Sequence, residues 1–143
     1  MNNFFVYHNE AGMKCTIKDI GLLRGVTNNS IAGSKDGTAW VISGVGTGAE
    51  AKSFFLSSFF IIAEEKPNSW PYPDFQHAIV GREGSGLILP KPIEITHESW
   101  LPDLQKETNN FYGFRKILGT KAIYGLLDII KPYASSLTVP STR

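Results

Sequence analysis

The chain has 143 residues, 42% of them hydrophobic and 19% charged, with a formal net charge of +1. That length suits one domain with its own core, while near-neutrality argues against a protein that grips nucleic acid by bulk electrostatics, which needs several cations per site. The single cysteine, Cys15, excludes an intrachain disulfide and a cysteine-based zinc site.

No apolar run reaches the roughly 18 residues of a membrane span. The opening Met1-Asn-Asn-Phe-Phe-Val-Tyr-His8 lacks the basic start and small-residue cleavage site of a signal peptide. The expected setting is the cytosol, with no membrane partner.

Taken in order, residues 3–8 read as a first strand. Residues 9–35 are polar and interrupted by Gly12, Gly21, Gly25 and Gly33, which reads as a long connection with room for a helical turn near Ile17 to Leu23. Thr38 to Ser43 is a strand. Ser53 to Ala63 is apolar almost throughout; Phe54, Phe55, Ser58, Phe59 and Ile62 also fit helical spacing, but aromatic and β-branched residues favour a pleated surface. Three prolines make residues 67–74 an extended loop. Ala78 to Gly81 and Leu87 to Leu89 flank Arg82-Glu-Gly-Ser-Gly86, which predicts a hairpin, and Pro90-Lys-Pro92 an edge or kink.

Thr96 is placed to cap a helix over Glu98 to Lys106. Residues 109–114 form a loop rich in aromatics and amides. Residues 120–131 form the clearest helix, with Ile123, Leu126, Leu127 and Ile130 on one stripe and Pro132 at its end. The sum is an α+β, mostly β domain over residues 1–132, followed by a tail or linker start at residues 133–143.

Chemistry is sparsely signalled. Gly44, Gly46 and Ala49 satisfy a loose dinucleotide fingerprint, and Glu64 and Glu65 lie near the distance of a ribose-binding acid. Against this, the stretch from Ala49 to Ser58 is short for a crossover helix and rich in poor helix formers. The competing reading is a hairpin turn with mobile glycines, and Glu64-Glu65 then becomes a solvated strand end. Cys15 can be drawn as a dyad with His8, His77 or His97, yet a lone cysteine is ordinarily a small buried hydrophobe. The histidines are scattered, so no metal ligands, catalytic group or cofactor is expected. Trp40, Trp70, Tyr72, Phe111 and Tyr112 either plug the core or stack on a planar ligand read by neighbouring amides.

Five segments carry a resemblance: Phe5-Val-Tyr-His-Asn9 with Gly12-Met13 behind it, Gly37-Thr-Ala-Trp-Val-Ile-Ser-Gly44, Phe55-Leu-Ser-Ser-Phe-Phe-Ile-Ile62, Leu89-Pro-Lys-Pro-Ile93 and Asn110-Phe-Tyr-Gly-Phe114. In this order they resemble the PUA-like domains, which include the EVE and YTH readers and the specificity domains of bacterial modification-dependent restriction proteins. The resemblance implies a small twisted β-barrel with one or two flanking helices, a binding module rather than an enzyme. Its partner would be a nucleic acid, DNA ahead of RNA, whose modified base is extruded into an aromatic pocket; a nuclease domain or subunit would do the cutting.

The positions that fall near that pocket are Tyr7, His8, Asn9, Trp40, Ser43, Phe111 and Tyr112. Lys14, Lys18, Arg24, Arg82, Arg115 and Lys116 would supply a phosphate-contacting rim. Two other readings stay open: a nucleotide-binding protein or enzyme using the Gly44 to Gly48 loop, and a protein-interaction domain built on exposed aromatics. The state of residues 49–62 separates the first two, since a helix there serves a nucleotide loop and a continuous strand serves a barrel.

Overall fold

The computed structural model describes residues 2–9, 23–27, 33–45, 53–67, 77–108 and 114–136. Within them lie seven strands: β1 (Asn3–Asn9), β2 (Arg24–Thr27), β3 (Thr38–Val45), β4 (Ser53–Pro67), β5 (His77–Gly81), β6 (Leu87–Glu94) and β7 (Phe114–Ile117). Two helices, α1 (Leu101–Glu107) and α2 (Thr120–Ile130), come late, and a 3-10 turn over Lys131–Ser136 continues from α2. The chain is mostly β, and its sheet is mixed: β1 runs parallel to β3 and antiparallel to β7, while β3 and β4 are antiparallel neighbours. The strand order is β2-β5-β4-β3-β1-β7, with β6 also on β4, so the sheet does not close on itself.

The long strand β4 organises the rest. Its aromatic and β-branched residues suit a pleated surface, and its 15 residues exceed what any one neighbour can pair. On one side, Ser53 to Ile61 pair with β3. On the other, Phe55 to Phe59 pair with β6, and Ile62 to Pro67 pair with β5. The expected hairpin between residues 78–81 and 87–89 is therefore replaced. Both strands lie against β4, one after the other, and Arg82 to Gly86 carries the chain between them. The gap they leave at Ile61 is filled locally: Arg82 N–H donates to the Ile61 carbonyl at 2.8 Å, and the Ser85 hydroxyl accepts from Ile61 N–H at 2.9 Å.

The short strand β2 falls within the stretch read from sequence as connection. Arg24-Gly-Val-Thr27 has little apolar content of its own and becomes a strand only by pairing with β5. The sheet curls enough that a methyl group built on Gly25 of β2 would meet Val6 Cγ1 of β1 at 2.8 Å.

Curling gives the sheet two unlike faces. The convex face carries Phe5, Trp40, Ile42, Leu56, Phe59 and Ile117, and it is covered by Trp100, Leu101 and Leu104 at α1 and by Ala122 and Leu126 of α2. The concave face holds Phe4, Val6, Ala39, Val41, Phe60, Ile62, Ile79 and Phe114. Phe4 and Phe114 stack there at 5.2 Å between ring centroids.

The helices differ from expectation in detail. Thr96 does not cap α1; its hydroxyl accepts from Phe54 N–H at 2.8 Å and so ties the loop to β4. α1 starts after Trp100 with a proline in its first turn, a position where the missing N–H costs nothing. α2 ends at Ile130, one residue short of the expected 131, and Pro132 does not stop the chain from continuing as a 3-10 turn; Leu127 lies outside the buried stripe while Ala122 is inside it. Tyr133, the first residue of the stretch read as tail, packs against the convex core.

Candidate functional site

The concave face changes character along β1 and β3. Cross-strand register assembles successive rows: Phe4 beside Ala39 beside Phe60, then Val6 beside Val41 beside Ser58, then His8 beside Ser43. Cross-strand partners share a face and positions two apart keep it. The face therefore runs from phenylalanines at one end to imidazole and hydroxyls, with Phe55 opposite Ser43, at the other.

A β-bulge in β4 builds the polar end. Pairing jumps between Val41 opposite Ser58 and Ile42 opposite Leu56, which leaves Ser57 as the extra residue. Leu56 and Phe59 both pack on the convex side although they are three residues apart, so both serines between them are free to serve the concave side. The Ser57 and Ser43 hydroxyls share a hydrogen bond of 2.7 Å. His8, Ser43, Ser57 and Ser58 are all buried, and among the described residues the Ser58 hydroxyl has no hydrogen-bond partner. Each of these side chains can both donate and accept, and none is a carboxylate, ammonium or guanidinium. Such a set suits a neutral, planar, polar ligand better than an ion.

The seven positions expected at a pocket are divided by the sheet. His8 and Ser43 come together on the concave face. Trp40 lies on the convex face, fully buried, with its ring 5.8 Å from that of Phe59 and its indole N–H donating to Asn3 Oδ1 at 2.9 Å. Tyr7 also faces the helix side, its ring stacked near Phe5. The Tyr7 hydroxyl sits over Gly44, where a Cβ would lie 1.9 Å from it. Asn9 is the last residue of β1, in register with Gly44. Phe111 and Tyr112 lie outside the described residues, as do Trp70, Tyr72 and Cys15.

The expected rim is dispersed in the same way. Arg82 is held by Asp36 in a 2.8 Å ion pair beside Ile61, at the far end of β3 from Ser43. Arg115, opposite Phe5 on β7, is half-buried with its Nε out of contact with water and, among the described residues, without a partner. Lys116 is exposed, Arg24 is half-buried on β2, and Lys14 and Lys18 lie outside the described residues.

Sequence reasoning missed Ser57 and Ser58. Their signal was present as the only polar interruption within Phe54 to Ile62, but the bulge that turns both toward one face is a tertiary feature. It also left Glu65 as a solvated end, whereas the carboxylate accepts from Ser34 N–H at 2.8 Å, from the Ser34 hydroxyl at 3.0 Å and from Lys35 N–H at 3.1 Å.

The glycine segment is also clarified by topology. β3 and β4 leave and enter it as antiparallel neighbours, whereas a dinucleotide loop joins parallel strands through a helix. Gly46 and Gly48 themselves lie outside the described residues. A cleft of about 700 Å³ opens at the other end of the sheet, lined by Asn2, Asn3, Asp36, Thr38 and Leu127 among others. Two of its polar side chains are engaged, Asn3 with Trp40 and Asp36 with Arg82.

Among the described residues, no three of His, Cys, Asp and Glu converge in a metal-binding group, and no helix is long and apolar enough to cross a membrane. The chain matches no protein-family model and no curated protein.

Proposed function

We propose that this chain is a nucleic-acid-binding module that takes a modified base into the polar end of its concave face, with His8, Ser43 and Ser57 as the described contacts. The curled sheet is read as an open relative of the PUA-like barrel, and the module as the specificity element of a modification-dependent system acting on DNA ahead of RNA. The observation that carries the reading is a buried row of imidazole and hydroxyls on a face that is otherwise apolar.

The energetics are consistent with it. Extruding a base costs a few kcal/mol, least for one that is mismatched or already unpaired. Stacking and hydrogen bonds to the base edge offset that cost, and neutral groups that both donate and accept can adapt to that edge. Lys116, opposite Phe4 on β7, remains the described candidate for phosphate contact, since Arg82 is already paired and Arg115, opposite Phe5, shares the helix-covered face.

The reading is tested by fluorescence anisotropy with labelled oligonucleotides, single- and double-stranded, unmodified or carrying methylcytosine, hydroxymethylcytosine or methyladenine. Modification-dependent binding that weakens about tenfold in a folded Ser43→Ala variant is expected from the loss of one hydrogen bond in a dry site. A folded wild-type protein that binds every oligonucleotide equally, or none, contradicts it.

A further inference from the structure

The geometry points to Ser58 as the specificity-determining residue of this site: its hydroxyl receives a hydrogen-bonding substituent on the bound base, so that a base bearing a hydroxyl-containing group is preferred to one bearing a methyl. This rests on the base-reading proposal above and adds to it the chemistry of the modification.

The Ser58 hydroxyl has no structural reason to be where it is. Ser58 is 1% exposed, and among the described residues its hydroxyl has neither donor nor acceptor. Its cross-strand neighbours are Val41 on β3 and Ile88 on β6, neither of which offers a polar side chain. A buried hydroxyl without a partner destabilises the fold that contains it, and an alanine of nearly the same size would pack there without that cost. The adjacent Ser57 differs in this respect, because its hydroxyl is satisfied by Ser43.

The position is also right for a ligand group. Ser58 follows Ser57 directly in the bulge and lies one row from Ser43 and His8 on the same face. A ligand held by His8, Ser43 and Ser57 would direct one edge along the face toward Val41 and Ser58. A methyl substituent arriving there leaves the hydroxyl unpaired. A hydroxymethyl substituent can donate to it or accept from it, and the bond forms where water does not compete.

The test compares oligonucleotides that differ only in carrying methylcytosine or hydroxymethylcytosine, against wild type and Ser58→Ala. The wild type is expected to favour hydroxymethylcytosine about tenfold, the worth of one buried hydrogen bond. S58A should lose that preference by binding the hydroxymethyl base more weakly. Equal affinities in the wild type, a preference for methyl, or a preference that survives S58A, overturns the role of Ser58 and leaves the base-reading site standing. Binding of neither oligonucleotide also overturns the role of Ser58, and the base-reading site then stands or falls with the methyladenine oligonucleotide. Thermal unfolding of the free proteins is an independent arm: S58A should melt at the same temperature as wild type or a few degrees higher. A clear drop would show that the hydroxyl is already satisfied, and would overturn the inference without reference to any ligand.

Discussion

Ser43 and Ser57 share one hydrogen bond of 2.7 Å where both side chains are out of water. Removing either hydroxyl strands the other. Ser43→Ala is therefore expected to cost about 1–3 kcal/mol, and the double variant S43A/S57A less than the sum of the two single ones. Urea denaturation of the four proteins measures the coupling directly, and strict additivity would show that the two hydroxyls do not depend on each other. Trp40 sits at the same scale but plays a different part. Its ring fills the convex core and its N–H satisfies Asn3, so Trp40→Phe should lose about 2 kcal/mol of stability from lost volume and a lost hydrogen bond. Any loss of binding in that variant should vanish when stability is restored by low temperature. Trp40 could be placed on a strand from sequence, but not on a face. Its parity relative to Ser43 puts the two on opposite sides of β3, and which side is core is decided by the helices that pack there.

Among the elements, α2 is fixed at its start by a carboxylate from α1. Glu107 accepts from Leu118 N–H and, at 3.1 Å, from Gly119 N–H, which are donors that the helix itself leaves unsatisfied. Glu107→Ala should destabilise the protein by about 1 kcal/mol, as the loss of a helix cap does, and Glu107→Gln by less. Farther along, Gly125 lies against the Trp100 ring so closely that a Cβ would fall 2.1 Å from Nε1. Trp100 is buried and has little room to yield, so Gly125→Ala should cost about 1–3 kcal/mol despite the better helix propensity of alanine. A rise in melting temperature would contradict the packing. Elements with a pattern of their own were legible in the sequence: β1, β3, β4 and α2 each carry enough apolar periodicity to be read alone. β2 was not, because four residues with a glycine become a strand only beside β5. The 82–86 turn was read as a hairpin because local sequence cannot show that β4 is long enough to hold two strands in succession.

At the scale of the whole molecule, one curled sheet separates a helix-covered core from a concave face with a polar end. Near-neutral net charge and the commitment of Arg82 to Asp36 leave few cations for phosphates. Binding to an oligonucleotide should therefore depend only weakly on salt, with a log–log slope of about −2 to −3 for two or three phosphate contacts. A much steeper slope, measured by anisotropy between low and moderate salt, would mean that bulk electrostatics dominates and that base contacts are secondary. His8 and Ser43, named through the resemblance, share the concave face, while the role of Ser57 and Ser58 needs the bulge; Tyr7 and Trp40 fall on the other face because a sequence does not show the two sides of a sheet.

The central claim is that a base enters at His8, Ser43 and Ser57, and chemical-shift mapping tests it most directly. An isotopically labelled protein would be titrated with the modified oligonucleotide that binds tightest. The account predicts that the largest amide shifts fall on His8, Ser43, Ser57 and Ser58. Shifts centred instead on Asn2, Asn3 and Lys35 to Thr38, at the cleft on the other end of the sheet, would contradict it.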